Sequence, residues 1–264
     1  MSFQQKRVVV TGLGAVSPVG NDVESCWKSL LAGKSGIGPV SKFDTTGYRC
    51  TIAGEVKGLD IDAFIDPKEA KRLDLFCHYA VVASDEALAQ AGLTKAQGVD
   101  PTRIGVIVSS GIGGLTTIED QIRTLAEKGP RAVSPLSIPM MISNMASGYV
   151  AIRHNLKGPN FSIVTACASG LHSIGEAYWM IVRGDADVMV CGGGAAGVAA
   201  AVAARKAGAR VFLAEGFTCF GGLGTAARVP SARWMTMRPP SSRTLSPYSP
   251  MSMICSIERL LYLR

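Results

Sequence analysis

Two short stretches of this 264-residue chain bring together residue types that can do chemistry. The first is Ser162-Ile163-Val164-Thr165-Ala166-Cys167-Ala168-Ser169-Gly170, where an apolar run ends at a cysteine and a new periodicity begins. From residue 168 to 183 the apolar positions Leu171, Ile174, Ala177, Tyr178 and Ile181 recur at helical spacing, and Gly184-Asp185 ends the run. Cys167 therefore falls where a strand gives way to a helix. Free N–H groups and the positive end of the helix dipole favour a thiolate there, the form that attacks electrophiles. Ala166, Ala168, Ser169 and Gly170 are small enough to let a thioester approach. The spacing alone fits equally a cysteine that only packs between apolar elements.

The second stretch, Asp187-Val188-Met189-Val190-Cys191-Gly192-Gly193-Gly194-Ala195-Ala196-Gly197, reads as a strand running into GxGxxG, with Gly192, Gly194 and Gly197 at the glycine positions. A helix of small residues over 198–207 and a strand over 209–214 follow, ending at the acidic Glu215. Tight turn, helix N-terminus and a carboxylate for ribose hydroxyls are what a dinucleotide needs. A Gly/Ala-rich crossover helix of an ordinary α/β fold has the same composition.

Composition narrows the classes. Hydrophobic residues make up 47% of the chain, ample for a buried core. The formal net charge is +7, but Arg228, Arg233, Arg238, Arg243, Arg259 and Arg264 crowd the end against Glu258, and no basic helix carries interleaved aromatics, so nucleic acid is not an expected partner. Seven cysteines form no CxxC pair and no regular framework, which points to neither a metal site nor a disulfide scaffold and fits a reducing cytoplasm. Residues 1–7 are polar and run straight into Val8-Val9-Val10, leaving no signal-peptide core. The uncharged run 188–204 is mostly Gly and Ala and is not expected to enter a membrane.

The elements that must position these residues alternate strand-like and helix-like segments over the first 191 residues, implying βαβ units and a largely parallel sheet covered on both faces. Residues 7–12 read as a strand, and Asn21 or Asp22 caps a helix carrying Val23, Cys26, Trp27, Leu30 and Leu31 on one stripe. Asp66-Pro67 opens a long helix that closes near Gly92, residues 103–110 form a buried strand, and Gly111-Ile112-Gly113-Gly114 turns after it. Residues 138–156 suit one buried helix, and 161–166 a short strand leading to Cys167. Residues 231–264 are irregular, with only 254–263 hinting at a short amphipathic helix.

Several of these motifs together resemble the β-ketoacyl-[acyl carrier protein] synthase II group of the thiolase-like superfamily. They are the opening Arg7-Val8-Val9-Val10-Thr11-Gly12-Leu13-Gly14-Ala15-Val16-Ser17-Pro18-Val19-Gly20-Asn21, the Gly111-Ile112-Gly113-Gly114 loop, and Asn144-Met145 with Gly148. Lys157-Gly158-Pro159-Asn160, Thr165-Ala166-Cys167 and Gly184-Asp185-Ala186-Asp187 follow in the family's order. The resemblance implies that Cys167 accepts an acyl group from acyl carrier protein or coenzyme A, with its own backbone N–H as one oxyanion donor. It implies acyl and malonyl thioesters as substrates, a homodimer, and no metal or redox cofactor. It also places two histidines in the carboxyl-terminal half of the fold, whereas this chain's histidines are His78, His154 and His172, all before residue 191. His172 follows Cys167 by five residues, and all three are read as packing or surface residues.

From Asp187 to about residue 227, including Phe220-Gly221-Gly222, the sequence is instead similar to the amino-terminal unit of FAD-dependent oxidoreductases, which would make FAD a ligand of Gly192, Gly194, Gly197 and Glu215. The expected organisation is α/β: the amino-terminal half of a thiolase-like fold over 1–191, a partial Rossmann-type βαβ unit over 187–230, and a disordered tail over 231–264. The leading reading is a truncated, impaired condensing enzyme. The alternatives are a flavoprotein fragment and an inactive chimaera joined at the shared strand 187–193.

Overall fold

A glycine pair lets the first strand lie directly on a helix. In the computed structural model, which describes residues 7–192 and the backbone of 258–263, strand β1 (Val10–Val16) crosses helix α3 (Leu75–Gln90). A Cβ at Gly12 would sit 2.1 Å from the Ala87 carbonyl oxygen, and one at Gly14 1.8 Å from that of Ala83. The Leu13 and Ala15 N–H groups, on the open edge of β1, donate to Gln90 Oε1 at 2.6 Å and Glu86 Oε2 at 2.9 Å. Side chains of α3 thus replace a neighbouring strand and satisfy backbone donors that otherwise invite another chain.

Between these elements run helix α1 (Val23–Leu31), the small antiparallel pair β2 (Ile37–Pro39) and β3 (Ile52–Gly54), and the single turn α2 (Pro67–Ala70). Of the two caps the sequence allowed, Asn21 and Asp22, it is Asp22 that caps α1, through the Ser25 N–H at 2.7 Å. Its expected apolar stripe is only partly used: Cys26 is buried, whereas Trp27 and Leu31 face solvent.

The main sheet has the order β1-β6-β5-β4, where β4 is Ile104–Val108, β5 is Val188–Gly192 and β6 is Glu258–Leu263. β4 and β5 are parallel, with Ile104 opposite Val188 and Val108 opposite Gly192. β6 is antiparallel to both β1 and β5. The strands of the first 191 residues, β1, β4 and β5, run in one direction as expected, and β6, from beyond that span, makes the sheet mixed. Residues 258–263, within the segment 254–263 read as a short helix, form this strand instead, and 254–257 lie outside the described residues. Two strand edges facing each other across one strand's width leave donors and acceptors that only a third backbone can satisfy.

Every residue of β4 and β5 is buried, because helices cover both faces. Ile104, Val106, Val188 and Val190 pack with Val81 and Leu88 of α3 and Val150 of helix α6 (Met145–His154). The alternate residues Ile107, Met189 and Cys191 pack with Ala177, Met180 and Ile181 of helix α7 (Ser169–Arg183). β5, shared by the two sequence resemblances, is thus a member of the same sheet as β4; residues 193–257, which carry the rest of the expected Rossmann-type unit, lie outside the described residues. Among the described residues no helix is long and apolar enough to cross a membrane.

Two helices read as continuous are broken, each to serve a neighbour. The 66–92 segment divides into α2 and α3 because Asp74 turns its buried carboxylate to helix α4 (Leu115–Lys128). Oδ2 of Asp74 accepts from the Thr117 N–H at 2.9 Å and from its hydroxyl at 2.6 Å, capping α4 from outside. The 138–156 segment divides into helix α5 (Ser137–Met141) and α6. The carbonyl of Met141 is thereby free to accept the Gly114 N–H at 2.9 Å, and a Cβ on Gly113 would come within 2.2 Å of the same oxygen.

These contacts make opposite forecasts for two glycines. Gly14→Ala forces a methyl into the α3 backbone and should cost about 3 kcal/mol or more in a urea titration. Gly148→Ala, in α6 with nothing within 4 Å of the added Cβ, should be neutral or stabilising by up to about 1 kcal/mol. Equal effects from the two would refute the direct packing of β1 on α3.

Candidate active site

The segment before Cys167 follows β4 without forming the expected strand. It makes one parallel bridge, Val106 with Asn160, and the Phe161 N–H then donates to the Val106 carbonyl at 3.3 Å. Beyond that point a side chain takes over from the ladder: the Ile163 N–H donates to Ser109 Oγ at 2.9 Å. The Ser147 hydroxyl, on α6, accepts the Val108 N–H at 2.8 Å and lies 2.8 Å from the Phe161 carbonyl oxygen, tying the segment to the helix beneath it. Lys157-Gly158-Pro159-Asn160 owes its glycine to the same crossing, since a Cβ on Gly158 would lie 2.6 Å from the Ile104 carbonyl.

Cys167 sits in a single 3-10 turn, Ala166–Ala168, and α7 starts at Ser169, two residues beyond the cysteine. The cysteine is exposed. Ala166 has φ +49°, in the left-handed region that costs a residue with a Cβ on the order of 1–2 kcal/mol. Ser169 spans this turn: its Oγ accepts the Thr165 N–H at 2.9 Å and donates to the Ala166 carbonyl at 2.7 Å. The glycine loop after β4 lies against the other side, for a Cβ on Gly111 would be 3.1 Å from the Ala166 oxygen. Two sequence motifs, the glycine loop and the cysteine turn, are thus halves of one structure. The exposed thiol thus stands beside the amino-terminal end of α7, a position where helix N–H groups favour negative charge.

Of the cysteines among the described residues, Cys26, Cys77 and Cys191 are buried, and Cys50 and Cys167 are exposed. Burial pushes the Cys191 thiol far up, which leaves it inert as a nucleophile. His172 lies on α7 with Nδ1 2.8 Å from Thr165 Oγ1, next to the turn and exposed. His78 contacts the Ala70 carbonyl through Nε2 at 3.0 Å, and His154 is buried against Asp85, so both pack other parts of the molecule. Of the proposed dinucleotide residues, Gly192 ends β5 and its carbonyl accepts the Ser109 N–H at 2.9 Å. Gly194, Gly197 and Glu215 lie outside the described residues. The Gly184-Asp185-Ala186-Asp187 motif proves to be a clamp: Arg103, at the foot of β4, reaches Asp187 at 2.8 and 3.1 Å and the carbonyls of Gly184 and Asp185.

The model of the β-ketoacyl synthase N-terminal domain matches residues 5–218, four-fifths of the chain. The chain belongs to the β-ketoacyl synthase family. That match includes Gly192, Gly194, Gly197 and Glu215. The chain is 49% identical to 3-oxoacyl-[acyl-carrier-protein] synthase 2 of Synechocystis sp. over 192 residues, 73% of this chain and 46% of the relative. It is 50% identical to the Vibrio cholerae synthase of the same name over 191 residues, 72% of this chain and 46% of the relative. The chain therefore spans about half the length of the curated relatives it matches. Among solved structures, the ishigamide ketosynthase/chain length factor superposes with TM-score 0.70 at 25% identity, covering 98% of this chain and 58% of that one. A type II PKS ketosynthase in complex with its acyl-carrier protein superposes with TM-score 0.62 at 27% identity, over 72% of this chain and 51% of that one.

Sequence reasoning overlooked the polar residues that tie α6 to α3. Asp85 on α3 accepts both Nε and Nη2 of Arg153 and lies 2.7 Å from Nε2 of His154, tying α6 to α3, while Arg153 also donates to the Phe64 carbonyl. Burial pushes the Asp85 carboxyl up, but hydrogen bonds from His154 and Arg153 and the Arg153 charge outweigh it and hold it below the ordinary aspartate range. A depressed folded value means stability that is complete above the unfolded pKa and lost as pH falls through the folded one. Asp85→Asn should cost about 3 kcal/mol at neutral pH, and the difference from wild type should shrink as pH drops below about 4. Urea titrations at pH 7 and pH 3 check both, and a pH-independent difference would contradict the ionic account.

Proposed function

We propose that this chain carries the acyl-accepting half of a 3-oxoacyl-[acyl carrier protein] synthase of fatty acid biosynthesis. The observation that carries the reading is Cys167 itself: exposed, flanked by small residues, and set in a braced turn at the start of α7. Its thiolate attacks the carbonyl of an acyl thioester. A new carbon–sulfur bond forms, the bond to the donor sulfur breaks from the tetrahedral oxyanion, and the donor leaves as a free thiol after taking a proton. The sulfur is acylated with no change of oxidation state, so acyl transfer and the Claisen condensation that follows need no redox cofactor.

In the second half-reaction malonyl-carrier protein loses carbon dioxide, and the resulting carbanion attacks the Cys167 thioester to give the 3-oxoacyl product and return the thiolate. Groups must stabilise the enolate there; His78 and His154 are engaged elsewhere, and His172, beside the turn, contacts Thr165. Acylation is the step these residues support. The donor is an acyl carrier protein or coenzyme A thioester, a reading in line with the solved ketosynthase that is bound to its acyl-carrier protein. A homodimer fits the exposed segment before the nucleophile, where Val164 is 54% exposed; sedimentation of the purified chain should give twice the monomer mass, and a monomer would argue against pairing.

Incubation with an acyl-carrier protein thioester, followed by mass spectrometry and peptide mapping, should show one acyl group on Cys167 and none in Cys167→Ala. Adding malonyl-carrier protein should leave the acyl-enzyme in place. An unmodified Cys167, or acyl groups that map to Cys50, would overturn the assignment.

A further inference from the structure

Building on the acylation reading, we propose that Ser109 and Ser173 are positioning residues for Cys167, setting the angle of its turn so that sulfur and backbone N–H groups meet the thioester carbonyl together. Ser109 follows β4 and Ser173 lies on the second turn of α7, one turn beyond Ser169; both are buried, at 4% and 0% exposure. Their hydroxyl oxygens are 2.6 Å apart. Ser109 Oγ also takes the Ile163 N–H at 2.9 Å, and its backbone N–H donates to Gly192 at the end of β5. Ser173 Oγ lies 2.9 Å from the carbonyl of Ser169, the residue whose hydroxyl spans the strained Ala166.

These bonds make one continuous path from the ends of β4 and β5 to both flanks of the nucleophile, four residues before it at Ile163 and two after it at Ser169. An apolar side chain at either position would avoid the cost of burying a hydroxyl among sheet and helix, about 1–3 kcal/mol wherever a partner is lost. What the hydroxyls add is direction. Residues 162–165 have no ladder partner among the described strands, so the Ser109 contact is their anchor to the sheet. A shift of about 1 Å in a reacting group costs up to about a hundredfold in rate.

The experiment compares two reactions at one sulfur in the full chain: acylation of Cys167 by hexanoyl-coenzyme A and alkylation of Cys167 by iodoacetamide, each followed by peptide mapping. Alkylation needs an accessible thiol but no oxyanion alignment. In Ser173→Ala and Ser109→Ala, acylation should slow at least about tenfold while alkylation changes less than about twofold. Ser173→Thr, which keeps the hydroxyl, should recover most of the acylation rate. Equal acylation in wild type and both alanine variants overturns the proposal. So does a parallel fall of both reactions together with a lower melting temperature, which assigns the serines to folding alone. A wild-type chain that iodoacetamide labels at Cys167 but hexanoyl-coenzyme A never acylates sinks the acylation reading and the positioning role with it.

Discussion

Strand β4 is bonded on both edges, and the geometry of the Cys167 turn descends from that. On one side it carries the five-residue parallel ladder to β5, and on the other it receives Pro159 and Phe161 of the chain that leads to Cys167. Its foot is fixed by the Arg103 clamp on Asp187, its far end by Ser109, and its middle by burial on both faces. A strand so held cannot slip by one residue without turning Val106 and Ile107 to opposite sides of the sheet. Whatever hangs from β4 inherits its position, and both the glycine loop at Gly111 and the turn at Ala166 hang from it.

Much of this was legible in the chain. The apolar run of β4, the Asp22 cap of α1, the periodicity of α7 and the cysteine at its start all depend on neighbours in sequence, which periodicity and capping rules detect. What escaped depends on partners far away. Asp74 interrupts a helical pattern because it caps α4, 43 residues on. The break after Met141 exposes a carbonyl that the glycine loop uses. Residues 161–166 have β-branched composition, yet a ladder needs a second backbone, and Ser109 and Ser147 stand where one would be. The strand 258–263 was least legible, because nothing local distinguishes it from a short helix; the facing edges of β1 and β5 decide the matter. Ser169 and Ser173, four apart on α7, left a faint signal: small polar residues on the buried face of an otherwise apolar stripe.

The motifs that identify the family turn out to be packing solutions as often as chemistry. Gly12 and Gly14 admit the α3 backbone, Gly158 admits β4, Gly113 and Gly114 admit the α5 carbonyls, and Gly184 closes α7 with φ +86°. Each allows backbone to approach backbone more closely than a Cβ permits. Their combined effect is to bring two loops and a helix start to the same end of the sheet, where Cys167 lies.

Reactivity at that end is a matter of placement. Cys191 and Cys167 both belong to the region around Ser109, one inside β5 and the other on the turn that Ser109 steadies. Burial pushes the thiol of the first far up, whereas the second is exposed beside a helix start. Keeping Cys167 in that position requires Ala166 to hold φ +49°, a cost on the order of 1–2 kcal/mol. Net hydrogen bonds contribute about 1 kcal/mol each, and the two made by Ser169 across the turn are comparable with the strain they span. The Ser109 contact to Ile163 adds a further bond to the segment that leads into the turn. A turn so nearly poised needs each of its hydroxyls, and the same bonds that offset its strain also aim the sulfur.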